Sequence, residues 1–155
     1  MLDPARCYHQ GIRVPDLDTA MAELGAGLGV TWCEPQLREQ AVWLPDVGET
    51  TIALRFTYSV EGPQHLELLE GAPGSIWDGR DQPGMHHLGY WSDDVAAETQ
   101  MLADQGWSVL LGQRGPEHGY GAFTYVRPPS GLIVELVTTL VRPMFERWFA
   151  GGPLR

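Results

Sequence analysis

Two segments of this 155-residue chain carry a histidine and an aspartate at the same spacing. His9 lies seven residues before Asp16, and His87 lies seven residues before Asp94. Corresponding residues are 78 positions apart, and the same offset relates Leu24 to Leu102. A constant offset between similar segments is typical of a duplicated structural unit. We therefore interpret the chain as two copies of one unit, each with a histidine near its start.

Each copy ends in a short apolar segment that contains one glutamate. Glu67 lies in His65-Leu-Glu-Leu-Leu, and Glu135 interrupts Leu132-Ile-Val-Glu-Leu-Val. An ionised carboxylate among apolar neighbours costs several kcal/mol unless it is paired or bound to a metal ion. Two imidazoles and two carboxylates are ligands that a divalent metal accepts well. His9, Glu67, His87 and Glu135 are therefore predicted metal ligands.

The same four residues also have an ordinary structural interpretation. A histidine or glutamate at a strand end is most often solvated or hydrogen-bonded. Four such residues at positions related by the repeat, however, form the arrangement expected of a binding site shared by two modules. Side chains alternate along a strand, so His86 should point away from His87 and is assigned a structural role. His65 shares a face with Glu67 and is the one substitute ligand.

Hydrophobic periodicity predicts the same βαβββ order in both copies. In the first copy, the predicted strands are Arg6–Val14, Glu39–Pro45, Thr50–Ser59 and Gln64–Leu69. The first strand runs into a helix cap at Pro15-Asp16. The helix that follows begins at Leu17, Asp18 can cap its first turn, and the glycines at 25, 27 and 29 end it. In the second copy, the helix is Val95–Gln105 and the strands are Met85–Trp91, Ser108–Leu111, Ala122–Arg127 and Leu132–Val137.

The predicted fold class is α+β, with two tandem βαβββ modules forming a cupped mixed β-sheet with flanking helices. The modules are assigned to residues 1–70 and 85–137, joined by a linker loop at 71–84. Trp77 in this loop either pins it to the core, which we favour, or lines a pocket mouth. Residues 138–155 form an amphipathic, helical tail that covers an open surface or contacts a second subunit.

Composition restricts the classes of partner. A net charge of −10 argues against binding to nucleic acid or to an anionic membrane. No apolar run approaches the ~20 residues that span a bilayer, and no secretory signal precedes the first strand. We therefore expect a cytoplasmic protein. Cys7 and Cys33 lack metal-binding spacing and are predicted to be reduced structural thiols.

From about Arg6 to Val137 the chain resembles the vicinal oxygen chelate superfamily, which includes glyoxalase I, methylmalonyl-CoA epimerase, extradiol dioxygenases and bleomycin-resistance proteins. Local likeness is strongest to epimerase-like and lactoylglutathione-lyase-like members, through Gly84-Met-His-His-Leu-Gly, Leu66-Glu-Leu-Leu and Gly131-Leu-Ile-Val-Glu-Leu. The resemblance implies one divalent metal ion (Zn, Ni, Co or Mn) on His9, Glu67, His87 and Glu135, and no other cofactor. Glu39 in Arg38-Glu-Gln-Ala-Val matches an epimerase segment whose glutamate is a catalytic base.

The resemblance further implies an isomerase, epimerase or lyase that acts on a small carbonyl compound through a metal-stabilised enediolate. Glu135 would then be both a ligand and a catalytic base, with Glu39 as the second base. Two alternatives stay open. One is a drug-sequestering protein without catalysis, and the other is a ring-cleavage dioxygenase that uses iron on His9, His87 and Glu135.

The substrate is expected to be a small molecule held among aromatic side chains. Candidates for this aromatic wall are Trp43, Tyr58, Trp77, Tyr90 and Tyr125. The low number of basic residues disfavours a coenzyme A thioester, whose phosphates need cations. A homodimer is expected, with the modules paired within one chain or exchanged between two.

Overall fold

The computed structural model describes residues 1–155 and contains eight strands and three α-helices. The strands are β1 (Cys7–Arg13), β2 (Gln36–Leu44), β3 (Gly48–Tyr58), β4 (His65–Gly71), β5 (Gly84–Ser92), β6 (Ser108–Gly112), β7 (Phe123–Arg127) and β8 (Ile133–Thr138). The helices are α1 (Leu17–Leu28), α2 (Val95–Asp104) and α3 (Arg142–Phe149). This order confirms the predicted α+β class with two βαβββ modules. None of the helices is long and apolar enough to cross a membrane.

The strands form one closed sheet in the order β1-β4-β3-β2-β6-β7-β8-β5. Each module pairs its first and last strands in parallel, β1 with β4 and β5 with β8. The remaining described pairs, β3–β4, β6–β7, β7–β8 and β2–β6, are antiparallel. The sheet is therefore mixed, as predicted. Strand β2 begins at Gln36, earlier than the predicted start at Glu39.

Contacts between Cα atoms group the chain into two compact units. One unit consists of Met1–Tyr8, Ala41–Thr51 and His87–Arg142, and the other consists of His9–Gln40, Ile52–His86 and Pro143–Arg155. Each unit has its own apolar cluster beneath one helix. The module boundaries proposed from the sequence, at residues 70/71, 84/85 and 137/138, stay a prediction.

Helix α1 is capped by Asp16, where the first strand was predicted to run into a cap, and the cap predicted at Asp18 is wrong. The Asp16 carboxylate accepts a hydrogen bond from the backbone N–H of Thr19 at 2.8 Å. Asp16 has the extended backbone that a capping residue needs, whereas Asp18 already lies inside the helix and pairs with Arg55 at 3.1 Å. The helix ends before Gly29, whose φ of 70° is costly for residues with a side chain.

The buried face of α1 packs on the strands of its own unit. Val14, Leu17, Ala20 and Leu68 form one apolar cluster, in which Leu17 and Leu68 are fully buried. Leu68 projects from β4 on the face opposite to Glu67, because successive side chains of a strand alternate. Burial of this cluster therefore anchors β4 and directs Glu67 to the other face.

Helix α2 repeats this arrangement in the second module. Its cap is Asp94, which accepts a hydrogen bond from the N–H of Ala97 at 2.9 Å. The helix covers a cluster of Leu102, Val126, Val134 and Leu136. Val134 and Leu136 flank Glu135 in β8, so their burial directs Glu135 to the opposite face. The repeat predicted from His9/Asp16 and His87/Asp94 thus corresponds to a repeated local structure, in which a strand with the histidine leads into a helix capped by the aspartate.

The loop between β4 and β5 is held in place by Trp77 and Asp78. Trp77 is only 2% exposed, which confirms that it pins the loop to the core. The Asp78 carboxylate accepts hydrogen bonds from the N–H of Gly74 at 2.7 Å and from Arg80 Nε at 2.8 Å. Arg80 in turn donates to the Gly71 carbonyl at 3.1 Å. One carboxylate thus organises most of this loop.

Replacing Asp78 with alanine is expected to lower the melting temperature by about 2–4 °C at pH 7. The hydrogen bonds from Gly74 and Arg80 lower the pKa of Asp78 from 3.8 to about 2. A carboxyl with a lowered pKa stabilises the fold above its unfolded pKa and loses this effect as the pH falls through its folded pKa. Calorimetry should therefore show that the difference in melting temperature between the variant and the parent protein persists at pH 5 and shrinks between pH 4 and pH 2.

Asp81→Ala is the matched control, since Asp81 is an exposed aspartate of the same loop. It should melt like the parent protein at every pH. An equal loss of melting temperature in the two variants would contradict the role given to Asp78.

Candidate metal centre

The first predicted ligand pair lies on β1 and β4. These strands are parallel, with His9 beside His65 and Gly11 beside Glu67. His9 Nε2 lies 3.4 Å from Glu67 Oε2. His9 is fully buried and Glu67 is 6% exposed. The register brings the two side chains together because Gly11, between them, has no side chain of its own.

The second pair repeats this geometry on β5 and β8. Gly89 lies beside Glu135 in the parallel ladder, as Gly11 lies beside Glu67. His87 Nε2 lies 3.3 Å from Glu135 Oε2. His87 is fully buried and Glu135 is 8% exposed. The two pairs are therefore equivalent in register, distance and burial.

The two glycines were not identified as functional positions from the sequence. The sequence does contain a pattern that points to them. In His9-Gln-Gly11 and His87-Leu-Gly89, each predicted ligand histidine precedes a glycine by two residues. Residues two apart share a strand face, so any side chain there would compete for the space beside the carboxylate.

The structure brings all four predicted ligands into one group. One ligand atom of each of His9, Glu67, His87 and Glu135 lies within 4.8 Å of the other three. Two donor atoms bound to the same ion at ~2.1 Å lie roughly 3.0–3.4 Å apart. The distances of 3.3 and 3.4 Å within the pairs agree with this spacing. In chemistry and spacing, this group could hold a divalent metal ion.

Each ligand pair has a tyrosine beside it. Tyr58 on β3 is the register partner of Glu67, and its ring centroid lies 5.2 Å from that of His9. Tyr125 on β7 is the register partner of Glu135 and lies 4.9 Å from the ring of His87. Of the aromatic residues named from the sequence, these two lie next to the ligands.

The other predicted wall residues lie elsewhere. Trp43 contacts the ring of Tyr120 at 6.2 Å, and Tyr90 packs against the apolar cluster under α2. Trp77 is buried in the loop between β4 and β5. Tyr90 differs from the expectation because strand alternation directs it to the helix-covered face of β5, away from His87.

His65 lies on the ligand face of β4 but is engaged in other contacts. Its Nδ1 lies 2.7 Å from the Ser59 carbonyl oxygen, to which it donates a hydrogen bond. Its ring stacks on Phe149 at 3.8 Å. Burial lowers the pKa of His65, so the neutral imidazole is favoured. His65 and His86 are both outside the four-residue group.

The second predicted base, Glu39, is not brought into this group. It lies on β2 between the half-buried Arg38 and Gln40, and its own side chain is exposed. Glu135 belongs to the group, whereas Glu39 stays a prediction that rests on local sequence likeness.

Fold and site together define a member of a known superfamily. Residues 8–125 match the family model described as the glyoxalase/bleomycin resistance protein/dioxygenase superfamily. The chain therefore belongs to this superfamily.

The relatives that it resembles are epimerases. An ethylmalonyl-CoA/methylmalonyl-CoA epimerase from Cereibacter sphaeroides is 31% identical over 140 residues, which cover 84% of this chain and 96% of that protein. A Streptomyces coelicolor methylmalonyl-CoA epimerase variant in complex with 2-nitronate-propionyl-CoA is 26% identical, with a TM-score of 0.60. That match covers 86% of this chain and 93% of the other.

A methylmalonyl-CoA epimerase from Mycobacterium tuberculosis has the same fold, with a TM-score of 0.57 at 20% identity. It covers 89% of this chain and 92% of its own. The likeness to epimerases confirms the resemblance inferred from the sequence.

Proposed function

We propose that this protein is a divalent-metal-dependent isomerase or epimerase that moves a proton on the carbon next to a substrate carbonyl. The proposal rests mainly on the buried group of two histidines and two glutamates. The epimerase relatives support it, because the likeness to one of them covers 84% of this chain and 96% of that protein.

His9, Glu67, His87 and Glu135 are the residues that would hold the metal. A bound divalent cation supplies Lewis-acid stabilisation of the negative charge that develops on substrate oxygens. Zinc, nickel, cobalt and manganese all suit imidazole and carboxylate donors. Burial of the four residues keeps bulk water from competing with the substrate, which strengthens every charge interaction in the site.

Glu135 is our candidate for the catalytic base. Its carboxylate would accept the proton from the substrate carbon and return it to the same or the opposite face. We propose Glu39 as the second base, reaching the substrate from β2. Because Glu39 is exposed, Glu39→Gln gives a clear test, and an unchanged rate would remove this residue from the mechanism.

The substrate class is a small carbonyl compound. The relatives are named for coenzyme A esters, and methylmalonyl-CoA is therefore the first compound to assay. The basic residues of this chain are ten in number, and Arg6, Arg55, Arg80 and Arg114 are already engaged in ion pairs with acidic side chains. These four cations are less available to phosphate groups, so smaller carbonyl acids should be assayed beside the thioester.

Elemental analysis of the untagged protein tests the proposal before any substrate is known. We expect about one zinc, nickel, cobalt or manganese ion per chain after dialysis against metal-free buffer. Near-stoichiometric iron would instead favour a dioxygenase. A protein that holds no metal and takes up none would favour the non-catalytic binding protein.

His118→Ala is a control for this measurement. His118 belongs to an exposed group with Glu49 and Glu117, so the variant shows whether that group contributes bound metal. We expect an unchanged metal content, because exposed carboxylates and imidazoles are solvated without an ion.

We also propose a homodimer located in the cytoplasm. Light scattering should give twice the chain mass of 17.2 kDa, and a monomer would refute the dimer.

A further inference from the structure

Helix α3 lies against the strand face that carries the first ligand pair. The ring of Phe149 stacks on His65, with centroids 3.8 Å apart and planes 16° apart. His65 is the register partner of His9 and shares a face of β4 with Glu67. The end of α3 therefore contacts a residue that is the register partner of His9 and shares a face of β4 with Glu67.

Tyr58 joins α3 to the ligands. The rings of Phe145, Trp148 and Phe149 lie 5.5, 5.6 and 5.7 Å from the Tyr58 ring. The ring of Tyr58 also lies 5.2 Å from the ring of His9. The three aromatic rings of α3, which we call the α3 wall, are thus separated from a predicted ligand by a single side chain.

The α3 wall is apolar on the side that faces the strands. Trp148 is 1% exposed and also contacts Phe56 at 5.9 Å. The charged residues of the helix, Arg142, Glu146 and Arg147, are exposed. An apolar group would gain ~25 cal/mol for each Å² that it buries on this wall.

The wall belongs to a part of the chain outside the residues that match the family model, which end at 125. Its rings add bulk and apolar surface next to Tyr58 and His65.

We propose that the α3 wall selects the substrate, with Phe149 as the specificity-determining residue. The wall receives a short apolar substituent of a compact carbonyl compound and excludes a bulky group on the His9–Glu67 side. This inference rests on the proposed metal-dependent function. It concerns the size of the substrate, which the ligand set does not determine.

Hydroxamates test the proposal, because they bind divalent metals through two adjacent oxygens and are available in graded sizes. Binding of acetohydroxamate and 2-naphthohydroxamate to the zinc-loaded protein would be measured by calorimetry. We expect the parent protein to prefer acetohydroxamate. Phe149→Ala should shift the preference toward 2-naphthohydroxamate by about tenfold or more, since it removes a ring of the wall.

Phe123→Ala is the matched control. Phe123 is a half-buried phenylalanine on β7 whose ring contacts Tyr125, as Phe149 contacts Tyr58. It should leave the preference between the two hydroxamates within about threefold of the parent value. An equal shift in both variants would overturn the special role of α3, and no shift in Phe149→Ala would overturn the proposal itself.

Cys33 provides a second readout of the wall. Its Sγ lies 3.7 Å from the Trp148 carbonyl oxygen, and its thiol is buried beneath the helix. Burial raises the pKa of Cys33 to about 11, so alkylation at pH 8 is slow while α3 is docked. In a Cys7→Ser background, the alkylation rate shows whether a variant loses only a ring or releases the whole helix.

The two readouts separate the failure of this proposal from that of the function. If the zinc-loaded parent binds neither hydroxamate, the metal-dependent function fails and the size selection fails with it. If both hydroxamates bind and the preference is the same with α3 docked or released, only the α3 wall proposal is overturned.

Discussion

Replacing Glu135 with glutamine is expected to reduce turnover by at least about 10³-fold while the fold survives. Glutamine keeps the shape of the side chain and one oxygen that can bind a metal. Its neutral amide, however, cannot accept a proton from carbon. The measurement is the exchange of the substrate C–H proton with deuterium from the solvent, followed by NMR together with the steady-state rate.

Two comparisons make this prediction specific. Glu23→Gln changes an exposed glutamate of α1 and should retain the parent rate. Circular dichroism and melting should show that Glu135→Gln is folded, because its neighbours Val134 and Leu136 are unchanged in the buried cluster. A rate within tenfold of the parent would remove Glu135 from the role of base and leave it as a ligand alone.

Replacing either ligand histidine with alanine is expected to weaken metal binding by about 10²-fold or more. His9→Ala and His87→Ala each remove one buried donor and leave Glu67 or Glu135 without its imidazole neighbour at 3.4 or 3.3 Å. In each variant, the buried carboxylate that has lost its imidazole neighbour also destabilises the fold. The affinity would be measured by calorimetry with zinc.

Melting curves give an independent measure of the same loss. A ligand that binds only the folded state, and whose concentration is 100 times its dissociation constant, stabilises a protein by about 2.7 kcal/mol. Added zinc should therefore raise the melting temperature of the parent protein and have little effect on either histidine variant.

His65→Ala is the control for both measurements. His65 lies on the same face of β4 as Glu67, but its Nδ1 is engaged with the Ser59 carbonyl. The variant should bind zinc with the parent affinity. Lost binding in His65→Ala together with retained binding in His9→Ala would exchange the roles of the two histidines.

Much of the fold was predictable because its signals are local. The repeated spacing of His9 and Asp16, and of His87 and Asp94, reflects a strand that leads directly into a capped helix. Alternation of apolar residues around Glu135 indicated a strand with one face covered and the acid on the other. Both features depend on neighbours within a few residues, so one sequence was enough to detect them.

Local patterns were less informative wherever a choice depended on helix geometry or strand orientation. Both Asp16 and Asp18 precede the apolar face of α1, so the sequence indicated a cap at each of them, and the structure selects Asp16. Glu39 was assigned to the site by local likeness alone, and its role stays a prediction.

The sequence by itself determined the residue types and the repeat: two histidines on opening strands, two glutamates on closing strands and an α+β fold that contains them. Only the tertiary structure decided which side chains meet. The parallel register sets Gly11 beside Glu67 and Gly89 beside Glu135, and the tail helix places Phe149 on His65. Register and docking arise from contacts between residues far apart in the chain, whose energies no local pattern contains.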